Sequence, residues 1–190
     1  AIPQSNYIKS EPYGFTERQM NIVDWYAALP PQDDNGDWIV HDVYIVGETV
    51  VLRMAAVDIH LVITDFDKPL IIASSVEPRI QNNDYYFETK ANRSFAISIS
   101  TDYVVAEGQA GRIRVKSYAF PLFAEQNKAV LDYTIEALEF YEKQFGPLDR
   151  ESLSVVQADF LDGMEFDGLY YLSKGFYDLD PTPTGYLAMI

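Results

Sequence analysis

The chain contains no cysteine among its 190 residues, which excludes a disulfide scaffold, a thiolate zinc finger and a cysteine nucleophile, and leaves the redox compartment open. Glycine and proline number only ten each, too few for a fibrous or low-complexity chain. Cations are scarce as well: 14 Lys and Arg stand against 29 Asp and Glu, a formal net charge of -15. Nucleic acid and anionic membrane are therefore poor partners, because phosphate recognition needs clustered Lys and Arg. No apolar run approaches the ~20 residues of a spanning helix, and the amino end has neither a basic nor an apolar leader region. What is present is apolar material, 48% of the residues, enough for a chain of this length to bury roughly 70% of its extended surface.

Hydrophobic alternation with a period of two marks the first two thirds as strands. Val57, Ile59, Leu61 and Ile63 alternate with Asp58, His60, Val62 and Thr64. The same pattern sets Phe95, Ile97 and Ile99 against Ala96, Ser98 and Ser100, and Ile113 and Val115 against Arg112, Arg114 and Lys116. Both read as half-exposed strands. Shorter apolar stretches over 38–46, 50–54, 70–74 and 85–89 are bounded by turn chemistry, such as Asp34-Asn35-Gly36 and Asn82-Asn83-Asp84. An antiparallel β layer is expected here.

After Tyr118 the period lengthens. Leu131, Ile135, Leu138, Tyr141 and Phe145 recur at helical spacing, Glu136, Glu139 and Lys143 take the wetter side, and Gly146-Pro147 ends the helix, predicted over about 124–145. Residues 153–157 and 164–172 read as two further strands, with a turn near Asp162-Gly163. The fold class predicted is mainly β with an α+β end: an amino-terminal β domain over 1–118, its first strands expected to precede Ala1, and a second unit over 119–190. Pro181-Thr182-Pro183-Thr184 signals a helix start, and the apolar run over 185–190 lacks a polar face and a C-cap. The natural chain is expected to continue beyond Ile190.

Few constellations carry chemistry. His41 and His60 are the two histidines, no H-E-x-x-H is present, and each histidine reads as a surface residue. In the acidic turn from Asp33 to Asp37, placing Gly36 at the sixth position of a calcium loop puts Pro31 at the first ligand position and no Glu at the twelfth. A solvated Asx turn fits better. There is no G-x-S-x-G, P-loop or dinucleotide fingerprint. The distinctive stretch is 157–169, where Gly163 precedes a strand holding Met164, Glu165 and Phe166. A glycine that lets another backbone approach, followed by a lone carboxylate on a strand, can align an extended peptide while meeting its ammonium end. A turn and an edge strand with a solvated acid account for the same residues.

The run Glu139-Phe140-Tyr141-Glu142-Lys143-Gln144-Phe145-Gly146-Pro147, then Val155-Val156-Gln157-Ala158-Asp159-Phe160, then Gly163-Met164-Glu165 resembles the zinc aminopeptidase family typified by membrane alanyl aminopeptidase and leukotriene A hydrolase. The family's G-A-M-E-N motif falls over Asp162 to Phe166. Weaker matches at Arg18 to Tyr26, Trp38 to His41 and Arg93 to Ser98 extend the resemblance across nearly the whole chain. It implies a thermolysin-like metallopeptidase domain beginning in the second unit, and removal of amino-terminal residues from peptides. Glu165 then binds the substrate α-ammonium, Gly163 and Met164 lie along the strand that pairs with the substrate backbone, and Gln19 matches a glutamine that helps hold the same ammonium. Zinc is implied for the full-length parent and not for this segment, because the H-E-x-x-H helix follows the Met-Glu strand at about 185–190, where this sequence stops. The segment alone is expected to be inactive. Asp162, Gly163 and Phe166 depart from the motif's first Gly, Ala and Asn. The implied partner is a peptide amino terminus, and self-association through unfinished edges is a further expectation. Two other classes stay open: a peptide- or glycan-binding β module using Trp25, Tyr26, Trp38, Tyr85 and Tyr86, and a structural or assembly domain.

Overall fold

A computed structural model describes residues 2–4, 12–40 and 52–178. The expectations for His41, for the remainder of the 38–46 and 50–54 strands, and for the helix start near Pro181 lie outside the described residues. In chain order the strands are β1 (Gly14–Phe15), β2 (Met20–Val23), β3 (Ala55–Leu61), β4 (Ile71–Ser74), β5 (Arg79–Gln81), β6 (Asp84–Asn92), β7 (Ala96–Ser100), β8 (Val104–Ala110), β9 (Ile113–Ala119), β10 (Ser152–Gln157), β11 (Met164–Phe166) and β12 (Leu169–Leu172). A 3-10 turn (Pro121–Phe123) leads into helix α1 (Ala124–Phe145), and a short helix α2 (Lys174–Asp178) follows β12. The chain is mainly β.

Three sheets form, ordered β3-β6-β5, β1-β2-β7-β4 and β11-β12-β10-β9-β8. The second is the middle layer. One of its faces packs Ile22, Phe95, Ile97 and Ile99 against Val57, Ile59 and Phe87 of the first sheet, while the other packs Val23, Ala73 and Ala96 against Tyr118, Val156, Leu169 and Tyr171 of the third. The far face of the third sheet is covered by α1, through Val130 against Val155 and Leu172 and through Leu131 and Leu138 against Ala110, Ile113 and Val115. Because β7 sits between two sheets, both of its faces are buried. This corrects the half-exposed reading, since Ser98 and Ser100 face a neighbouring sheet and not water.

The first two sheets are antiparallel throughout, whereas β10 pairs parallel with both β9 and β12. Parallel neighbours need a long crossover; between β9 and β10 it is α1. β9 runs through the expected cut near residue 118 and pairs with β10 on the far side of it. Helix α1 has the bounds its periodicity predicts and ends at Gly146, whose φ of 93° suits glycine and whose N–H donates to Glu142 O at 3.0 Å. The buried stripe stops at Leu138: Tyr141 and Phe145 are 49% and 82% exposed. The helix draws level with the β8–β9 turn at Glu142, whose carboxylate lies beside Gly111, so the last turn overhangs the sheet.

Residues 164–172 form a hairpin and not one strand. The chain reverses at Asp167-Gly168, with Gly168 at φ 81° and a Cβ there falling 2.0 Å from Ser75 O. No side chain fits. Asp167 fastens this turn to the β6–β7 connection, accepting from Arg93 N–H at 2.6 Å and donating its own N–H to Ser94 Oγ at 2.8 Å. Among the described residues no helix is long and apolar enough to cross a membrane.

Candidate functional site

Among the described residues the third sheet ends in β11, which pairs on one side only, with β12. Met164 and Phe166 turn toward the core shared with the middle sheet. Strand alternation then directs Glu165 to the opposite face. There it stands across from Tyr170, whose hydroxyl lies 2.8 Å from Thr134 Oγ1 of α1. Glu165 is exposed. It lines a cleft of about 470 Å³ together with Asp162, Gly163, Tyr170, Leu172 and Ser173. Among the described residues two acids and no cation line this cleft, and nothing pairs with the Glu165 carboxylate.

The positions that depart from the family motif have local reasons. The Asp162 carboxylate accepts the Gly163 N–H at 2.9 Å, an Asx contact that shapes the approach to β11. A Cβ on Gly163 would stand 3.1 Å from Tyr171 O, so glycine lets the start of β11 lie close to β12. Phe166 packs edge-on against Tyr171, with ring centroids 6.1 Å apart. Met164 and Glu165 lie on β11, and Gly163 immediately precedes it.

Gln19 lies elsewhere. It is 3% exposed, is not among the cleft residues, and every hydrogen-bonding group of its amide is used. Its Nε2 donates to Tyr103 Oη at 2.5 Å and to Gln157 O at 2.9 Å, and its Oε1 accepts from Asn21 Nδ2 and from Asp159 N–H, both at 3.0 Å. Ser98 Oγ donates to Asn21 Oδ1 at 2.6 Å and lies 2.7 Å from Tyr103 Oη. With the serine proton committed, Tyr103 donates to Ser98, and the four side chains close a ring: Gln19 to Tyr103 to Ser98 to Asn21 and back. Burial pushes the Tyr103 hydroxyl above its ordinary pKa, so it stays a donor. An amide so occupied has nothing left for a substrate ammonium. Gln19 braces the fold.

Beside it is a group that sequence reasoning missed. Asp159 is fully buried, and its carboxylate is bonded to the Arg18 guanidinium and accepts from Thr16 Oγ1 at 2.7 Å. The Arg18 guanidinium also lies over the Phe120 ring, 4.0 Å from its centroid. An acid inside the apolar run 155–160 was the available signal, since buried carboxylates are almost always paired.

His60 is a surface residue, 46% exposed, bonded to Asp84 at 2.8 Å and stacked on Tyr86 with 4.3 Å between ring centroids. Asp33 accepts the N–H groups of Asn35 and Asp37, each at 2.9 Å, which lowers its carboxyl pKa; the acidic loop is a closed Asx turn. Among the described residues no three His, Asp or Glu converge on a point that could hold a metal. A larger groove of about 820 Å³ runs past Trp25, Trp38 and Met54. Of its rings, Trp25 meets Tyr26 edge-on at 76°; Tyr85 and Tyr86 do not line it and alternate to opposite faces of β6. No protein-family model matches the chain, and no curated protein matches it.

Proposed function

We propose that the free edge of β11 and the Glu165 carboxylate form the end of a groove that holds the amino terminus of an extended peptide, in a chain that is part of a zinc aminopeptidase with a thermolysin-like domain. One conjunction supports this reading above all. Among the described residues, a carboxylate without a partner stands in a cleft on a strand whose second edge is unpaired. An added peptide strand would take its affinity from backbone hydrogen bonds along β11, which are blind to sequence. The carboxylate supplies what the ladder lacks, a fixed point that sets register by meeting the terminal ammonium. With two acids and no cation lining the cleft among the described residues, an acidic terminus is disfavoured there. The net charge of -15 draws cationic ends at long range, although salt screens that attraction beyond ~8 Å. The part assigned to these residues is binding and register.

Calorimetric titration of Ala-Ala-Ala-amide into the wild-type chain and Glu165→Gln tests the role. Loss of one partly solvated charge pair is expected to weaken binding about tenfold, or ~1.4 kcal/mol. Equal affinities for the two proteins would contradict it.

A further inference from the structure

Two connections reach the cleft, residues 158–163 between β10 and β11, which line it at Asp162 and Gly163, and the junction of β12 with α2, which lines it at Leu172 and Ser173, and they are tied to each other. Ala158 N–H donates to Leu172 O at 2.8 Å, Lys174 N–H donates to Phe160 O at 3.1 Å, and Ser173 Oγ donates to Leu161 O at 2.7 Å. Main chain 158–161 thus joins both connections. Past Leu161 the support thins: Gly163 N–H reaches only the adjacent Asp162 side chain, and ladder pairing resumes at Met164. Glu165 is thus held from one side by the β12 ladder and the Asp167 turn, and approached from the other through the connection that 158–161 begins.

What holds it is the turn between β1 and β2, which touches no part of the cleft. Arg18 and Thr16 bind the Asp159 carboxylate, while Gln19 takes Asp159 N–H and Gln157 O. Thr16 N–H in turn donates to Gln19 O at 2.8 Å, and Thr16 Oγ1 accepts the N–H of Arg18 at 3.2 Å, so the turn is rigid in itself. A buried ion pair is a weak source of stability compared with an apolar pair of the same volume. Its directional hydrogen bonds do fix position, however. Arg18 spans the boundary, with a side chain 36% exposed closing over a carboxylate that is fully buried.

We propose that Arg18 is a positioning residue for the peptide cleft, acting through Asp159 to set the 158–163 connection and with it the placement of Glu165. This rests on the reading of Glu165 as an ammonium anchor. The test uses the whole chain with Arg18→Met, which keeps length and removes charge, and Arg18→Lys, which keeps charge and loses the fork. Amide hydrogen exchange and affinity for Ala-Ala-Ala-amide are both measured. In Arg18→Met, exchange at 160–166 should quicken at least tenfold while the β3–β6 pair keeps its wild-type rates, and peptide affinity should fall several-fold. Arg18→Lys should recover part of both. Exchange that rises evenly over the molecule, or peptide affinity unchanged in Arg18→Met, would overturn the positioning role. If the methionine variant fails to fold, Arg18→Lys against wild type makes the same comparison, with localised quickening at 160–166 again the expected result. A wild-type chain that does not bind the peptide would overturn the ammonium reading, and the exchange pattern would still decide whether Arg18 governs the connection.

Discussion

Glu165 and Gln19 show how two polar residues of one family-like pattern take opposite roles. Glu165 is exposed and has no partner among the described residues, and so its replacement should be silent in stability: Glu165→Gln is expected to shift the urea unfolding free energy by less than ~0.5 kcal/mol. Gln19→Ala strands buried groups, among them Asp159 N–H and Gln157 O, and opens the ring through Tyr103, Ser98 and Asn21. A loss of about 2–4 kcal/mol is expected in the same urea experiment; a loss under 1 kcal/mol would mean that water replaces the amide without cost. The carboxylate was legible in the sequence because one acid between Met164 and Phe166 on a strand must leave the core face. The amide was not. Sequence shows that Gln19 is polar, but whether its side chain meets water or four protein groups depends mostly on residues 80 and more positions away: Tyr103, Gln157 and Asp159, with only Asn21 close in sequence.

At the scale of elements, what could be read followed from how local the cause was. Helix α1 was legible to its ends, since its apolar stripe and glycine cap lie within one segment. β7 was placed correctly but read as half-exposed, because its serines are satisfied by protein groups and not by water, Ser98 by Asn21 of the neighbouring strand β2 and by Tyr103. The hairpin of β11 and β12 was read as one strand, although Asp167-Gly168 is a turn signal, because the apolar run continues on both sides of it. β8 escaped notice: Gly108 and polar Glu107 and Gln109 hide its alternation. That glycine has a structural cause, since a Cβ there would come 2.6 Å from Ile135 Cδ1, where α1 crosses the strand. Gly108→Ala is expected to destabilise by about 1–2 kcal/mol through overpacking. Pairing it with Ile135→Val should restore at least ~0.5 kcal/mol relative to the sum of the single changes. Strict additivity in thermal melts would show that the helix does not rest on this position.

Across the whole molecule, tyrosines are buried between the middle and third sheets and under the covering helix. Desolvation raises the pKa of Tyr103, Tyr118, Tyr170 and Tyr171 above the ordinary phenol value, and that of Tyr26 to about 12. For an acid held neutral by the fold, the stabilising contribution is whole below the unfolded pKa near 10 and is lost as pH rises through the folded value. Stability should therefore fall above about pH 10, and absorbance at 295 nm should show the buried phenols ionising together with unfolding. Independent titration of every tyrosine near its free value would contradict the layered burial. The stack also holds the cleft: the β11–β12 turn is pinned to the β6–β7 connection by Asp167, and the β10–β11 connection to the β1–β2 turn by Asp159. The proposal that this rim receives a peptide terminus is tested most directly by nuclear magnetic resonance titration of the labelled chain with Ala-Ala-Ala-amide and with its N-acetyl form. Shifts centred on the amides of Gly163, Met164, Glu165 and Phe166, appearing at about tenfold lower concentration for the free amine, are the predicted result; equal responses to both peptides, or shifts confined to other strands, would contradict it.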